Sequence, residues 1–150
     1  MMTKTTSLSK DAVRKSHGRL VKIRNYTYNA DVYAFVGERE EFLSLLTDRF
    51  KVDEHEIAYM FQERLPTDGY ALQLENDLLF VYLNEFHADE FYSVKVLSHE
   101  ALHIACFILS SRGAYVDIGV NTECLNYLHD ELFERLYIAL SRKRRVKKQR

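Results

Sequence analysis

Residues 94–113 read VKVLSHEALHIACFILSSRG, and the arrangement of the rest of the chain can be worked out from them. Val94, Leu97, Ala101, Ile104, Ala105 and Ile108 recur at three- and four-residue spacing. That period predicts one long amphipathic helix from about Asp89 to Arg112. Gly113 is its natural stop, because glycine takes up the left-handed backbone that ends many helices. Inside this helix, His99, Glu100 and His103 spell the pattern His-Glu-x-x-His. Residues i and i+4 share a helix face about 6 Å apart along the axis. Two imidazoles so placed can bind one zinc ion, and the Glu beside the first can act as general base towards an activated water.

Before this helix the chain alternates like strands. Arg19 to Tyr28 and Asp31 to Val36 (DVYAFV) predict two strands, with Gly37 breaking the second. Glu38 to Phe50 places Phe42, Leu43, Leu45, Leu46 and Phe50 at helical spacing. Asp53, with Glu56 three residues on, has the form of an N-terminal cap pair opening a short helix that carries Ile57, Met60 and Phe61. Pro66-Thr67-Asp68-Gly69 is a turn cluster. Tyr70–Leu74 and Leu78–Leu83 flank Glu75-Asn76-Asp77 as a hairpin. Its second strand, LLFVYL, is apolar throughout and is expected to be buried on both faces. Its first strand alternates, as an exposed edge would. After Gly113, a connector from Ala114 to Val120 leads to Asn121 as N-cap. A last helix then runs from about Thr122 to Arg142, with Leu125, Leu128, Leu132, Leu136 and Leu140 on its core face. The fold class expected is α+β: a small, mostly antiparallel sheet packed on two long helices.

A chain of 150 residues, 47% apolar and 29% charged, suits one soluble domain. The N-terminus has no apolar run, so no secretory signal is expected. The longest apolar runs have six residues, far short of a membrane span. Two cysteines, Cys106 and Cys124, make no disulfide framework, so a reducing cytoplasm is the default. The domain is expected to occupy 1–141, with 1–17 a weakly ordered lead-in and 142–150 a basic tail. Residues 141–150, SRKRRVKKQR, hold seven of the 21 basic residues and no acid, leaving 14 basic against 22 acidic residues before them, a net of -8. Without a matching basic face in the body, the tail reads as a solvated extension of the last helix rather than a nucleic-acid contact.

A catalytic zinc site needs three protein ligands and an open position. Glu123 is the strongest third candidate, because a helix, a reversing connector and a returning helix can bring its carboxylate back over the two imidazoles. The bland alternative is an acid that complements the helix dipole. Cys106, seven residues after His99 and on the same face, competes as a ligand or is a small core residue. Cys124 takes no role. His17 and His55 read as exposed, and His87 as a loop or cap residue.

SHEALH followed by a Glu twenty residues on resembles the gluzincin, or thermolysin-like, branch of zinc metallopeptidases. Val94 to about Tyr137 carries the resemblance, and HEALHIACFIL with TECLNYLHDELF also resembles small single-domain zincins encoded by bacteriophages. The resemblance implies a minimal zincin-like domain, Zn2+ held by His99, His103 and Glu123, Glu100 as general base, and a peptide or protein substrate in the cytoplasm, or the host's cytoplasm for a phage protein. Substrate would dock as an added strand along Tyr70–Leu74. The chain departs from the family at Tyr127, where thermolysin-like enzymes have an Asp that orients a ligand His. Asp130 is the substitute for that role, and Tyr115, Tyr127 and His129 are the candidates for an oxyanion partner. Three other readings stay open: an inactive zincin fold that binds or inhibits with zinc as a staple, a nucleic-acid-associated protein using 142–150, and a plain helical-sheet domain without metal. No membrane partner is expected.

Overall fold

Four short strands give this protein a sheet with two chemically different faces. The computed structural model describes residues 18–61, 68–114 and 122–142. Strands β1 (Arg19–Asn25), β2 (Ala30–Val36), β3 (Gly69–Gln73) and β4 (Leu79–Leu83) form one sheet in the order β1-β2-β4-β3. The two outer pairings are antiparallel, with Ile23 opposite Val32 and Ala71 opposite Val81, while the central β2–β4 pair is parallel, with Ala34 opposite Val81. A parallel pair needs a crossover, and here α1 (Arg39–Asp48), α2 (Glu54–Phe61) and β3 lie within it.

Because side chains alternate along a strand, Tyr33, Phe35, Tyr70, Leu72, Phe80 and Tyr82 all point to one face. There they meet Phe42, Leu46, Val52, Ile57 and Phe61 from α1, α2 and the link between them. Ring pairs stitch this layer, with Phe42 stacked on Tyr82 at 5.0 Å and Phe50 edge-on to Phe80 at 4.9 Å. The opposite face carries Val32, Ala34, Ala71, Leu79, Val81 and Leu83, which pack on α3 (Phe91–Ser111) and α4 (Thr122–Ser141). Ala34, Ala101 and Ala105 all belong to this core and are fully buried. Small residues at a contact let two backbones come close, as Gly69 of β3 does to α3.

The elements expected from the sequence are present, and the protein is α+β with a small mixed sheet. β4 is buried at every position, and β3 is the edge strand, as its alternation suggested. The core stripe of α3 begins at Leu97, since Val94 is only half-buried. Gly113 ends α3 with a φ of +73°, the N–H groups of Gly113 and Ala114 donating to the carbonyls of Ser110 and Leu109. One local reading is corrected. Asp53 does cap α2, accepting the His55 N–H at 2.7 Å, but Glu56 does not reach back to complete the pair. It accepts the Glu75 N–H at 2.7 Å instead. That donor belongs to the β3–β4 turn, where Asn76 and Asp77 adopt left-handed backbone. Pro66 and Thr67 of the expected turn, the connector from 115 to 120, the Asn121 cap, the lead-in 1–17 and tail residues 143–150 lie outside the described residues. Among the described residues no helix is long and apolar enough to cross a membrane.

Gly69, at the start of β3, marks the closest approach of the edge strand to α3. A Cβ there would lie 2.7 Å from Val96 Cγ1, 3.1 Å from Leu83 Cδ2 and 3.3 Å from Glu100 Cγ. Gly69→Ala is therefore expected to destabilise the fold by about 1–3 kcal/mol, as overpacking does. Urea unfolding of the two proteins measures this, and equal midpoints would show that the strand and helix can separate without cost.

Candidate metal centre

The face that α3 buries determines what its other faces can do. With Leu97, Ala101, Ile104, Ala105 and Ile108 against the sheet and α4, successive residues step round the axis by about 100°. That rotation turns His99 and His103 to the side away from the core, where both are exposed. It leaves Glu100 on the flank, beside β3. The two imidazoles converge: their Nε2 atoms lie 3.1 Å apart, with the rings nearly perpendicular at 86°. Within such a pair one ring donates and the other accepts. The spacing also suits a shared ion. Two nitrogens each about 2.0–2.1 Å from a tetrahedral zinc stand about 3.3–3.4 Å apart, which small ring adjustments supply.

Glu100 is 7% exposed, in contrast to its two neighbours in the motif. Burial raises its carboxyl above the ordinary value, while His99, His103 and a hydrogen bond from the backbone of Ala71 on β3 pull it partly back. A carboxyl held this way is poised nearer neutrality than a solvated one. Beside it, an open groove of about 290 Å³ is bordered by Asp68, Gly69, Tyr92, Lys95, Val96 and His99. The Tyr92 hydroxyl donates to Asp68 at 2.7 Å across its mouth. Phe91, 84% exposed, stands just beyond. Tyr92 and Lys95 were not singled out from sequence, yet a signal existed. They precede His99 by seven and four residues, so the spacing that pairs the histidines also aligns these two with them.

The other expected residues are placed differently. Glu123 is exposed in the first turn of α4, and among the described residues no group of three His, Cys, Asp or Glu side chains stands together. The histidine pair is thus assembled without Glu123 and without Cys106, which is half-buried. Antiparallel packing is shown by Tyr137 bonding the Ala88 carbonyl and His129 bonding Ser98. Continued along both helices, this register brings the first turn of α4 level with the α3 turn that follows His103. His129 is not free to meet a substrate. Its Nε2 donates to the Ser98 carbonyl at 3.0 Å and lies 3.2 Å from the Ser98 hydroxyl, while its Nδ1 lies 3.3 Å from Asp130. Asp130 thus lies beside the ring of His129, its neighbour in the chain. Tyr127 is exposed, Tyr115 lies outside the described residues, and His87 faces Glu85 at 3.5 Å in a loop. Compared with known proteins, the chain matches no family model, no curated sequence and no solved structure.

The raised Glu100 carboxyl has a stability consequence whose sign is fixed by linkage. A folded-state value above the unfolded one favours folding while the group is protonated, and that contribution is lost as pH rises through the folded value. In metal-stripped protein, Glu100→Gln should therefore be more thermostable than wild type at about pH 8, the gap closing towards about pH 4. Thermal melts across this range test it. A variant less stable than wild type at the alkaline end would show that the carboxylate is better accommodated than its burial implies.

Proposed function

We propose that this protein is a zinc-dependent hydrolase of peptide bonds, with His99, His103 and Glu123 as ligands and Glu100 as general base. The observation that carries the reading is the 3.1 Å convergence of the two Nε2 atoms on the open side of α3, directly beside a buried carboxyl. Zinc in that position supplies a Lewis acid and a water of lowered pKa. The chain's own groups do the rest. His99 and His103 reach solvent, so an ion has a path in. Glu100 takes the water's proton and delivers it to the leaving amine, a transfer that works best when the carboxyl titrates near the working pH. The β3 edge and the groove bordered by Tyr92 and Lys95 offer an extended peptide a place beside the base. Glu123 would be the third ligand, and its exposed position in the first turn of α4 supports that reading. A binding or inhibitory zincin-like module remains the second reading. Two observations favour it: Glu123 stands apart from the pair, and the backbone of Ala71 bonds Glu100.

Metal analysis of untagged protein, followed by peptide hydrolysis, separates these readings. Wild type should hold one zinc, and His99→Ala, His103→Ala and Glu123→Ala should each lose it. Glu100→Gln should keep the metal while hydrolysis falls by at least ~100-fold, the scale of a lost general base. Zinc bound with no cleavage of unstructured peptides would support the binding module, and zinc retained by Glu123→Ala would shift the third ligand to Cys106. Wild type with no zinc would remove the proposal altogether.

A further inference from the structure

Far from the histidine pair, β1 and α4 enclose a second groove of about 370 Å³ with a basic rim: Lys22 and Arg24 from the strand, Arg135 and Arg142 from the helix, with Ile138 on its wall. The sequence alone suggested no basic face in the body, because these four residues are scattered over 120 positions of an acidic chain. The fold gathers them. Two acids temper the rim without neutralising it. Asp31 is shared between Lys22 at 2.9 Å and Arg24 at 3.1 Å. Glu131 is shared between Arg135 and the buried Asn25. The cations remain open to solvent, with Lys22, Arg24 and Arg135 side chains between 42% and 49% exposed. Beside Arg135 stands Tyr26, 72% exposed, with the guanidinium over its ring at 5.6 Å.

The chain also leaves α4 at this groove. The Arg19 guanidinium on β1 donates to the carbonyls of Leu140 and Ala139, pinning the last turn of α4 beside the strand. Arg142 follows on the rim, and six of the next eight residues are Lys or Arg. The basic tail thus starts where the basic groove lies, while the rest of the molecule is net acidic.

We propose that the β1–α4 groove binds single-stranded nucleic acid, its phosphates on the Lys22, Arg24, Arg135 and Arg142 rim and a base stacked on Tyr26. A cationic groove beside an exposed aromatic ring is the combination by which proteins hold single strands without reading sequence. A membrane surface would call for apolar side chains projecting beyond the cations, whereas Ile138 sits in the wall of the groove. The acidic remainder of the molecule would orient an approaching polyanion onto this side.

The test is fluorescence anisotropy of the full chain with a labelled, mixed-sequence DNA strand of about 20 nucleotides, a length that spans several site sizes. Binding should weaken roughly a hundredfold between about 50 and 200 mM salt if five phosphates are neutralised. Deletion of 143–150 should lower affinity and flatten the salt dependence. With the tail intact, Lys22→Glu combined with Arg142→Glu should also weaken binding at least tenfold, and Tyr26→Ala should weaken it about fivefold or more with the salt slope unchanged. Circular dichroism and the thermal midpoint of each variant establish that it is folded. A folded Lys22→Glu, Arg142→Glu protein that binds like wild type would overturn the groove, leaving the tail as a loose polycation. Preference for duplex, or binding to phosphatidylserine vesicles in place of the strand, would overturn the ligand.

Discussion

The rotational setting of α3 is the constraint on which everything else rests. Five side chains, from Leu97 to Ile108, fill the space between sheet and α4 with no exposure above 1%. Because Gly69 of β3 comes so near Val96 and Glu100 that even a Cβ would crowd them, the helix lies too close to the sheet edge to turn without a clash. The phase so imposed sends the two histidines outward, tucks Glu100 under the edge of β3 and presents Ser98 to His129 of α4. A helix with larger residues at 101 and 105 would ride higher, and Glu100 would regain solvent. The raised carboxyl and the open imidazoles are thus two results of one packing decision.

How much of this was legible beforehand differed by element. The stripe on α3 and the leucines of α4 sit at regular helical intervals, so period alone located both helices and their inward faces. LLFVYL announced its burial through the absence of polar residues, and Tyr70–Leu74 announced the edge through its alternation. Gly113 and Asp53 were readable because their roles are local. Glu56 was not. Its spacing from Asp53 matched a reciprocal cap, but the choice between two backbone donors was made by the β3–β4 turn, which arrives nineteen positions later in the chain. Single-sequence patterns carry no information about such competition.

The candidate site divides in the same way. His99, Glu100 and His103 were legible because one helix holds all three and helical geometry is fixed. Glu123 depends on a return path through the segment from 115 to 121, so periodicity placed it on a helix but could not set its distance from the pair. Asp130 and His129 were noticed, but not that they would lie side by side with His129 donating to the Ser98 carbonyl of α3. The basic rim of Lys22, Arg24, Arg135 and Arg142 was invisible in sequence for the opposite reason. Each residue is ordinary where it stands, and only the pairing of the first strand with the last helix makes them neighbours.

That pairing also bears on when the molecule can become itself. Arg19 holds carbonyls 120 and 121 positions away, and Ile23 shares a core with Leu128, Leu132 and Leu136. Contacts of such long range close loops that span nearly the whole chain, and loop closure must precede any reward from the contact. During synthesis the sheet and the aromatic layer can assemble while α4 is still unmade, but the aliphatic side of the sheet stays partly uncovered until the final helix emerges. α3 can already lean on β3 and β4, but its seat is complete only when α4 closes over the aliphatic face.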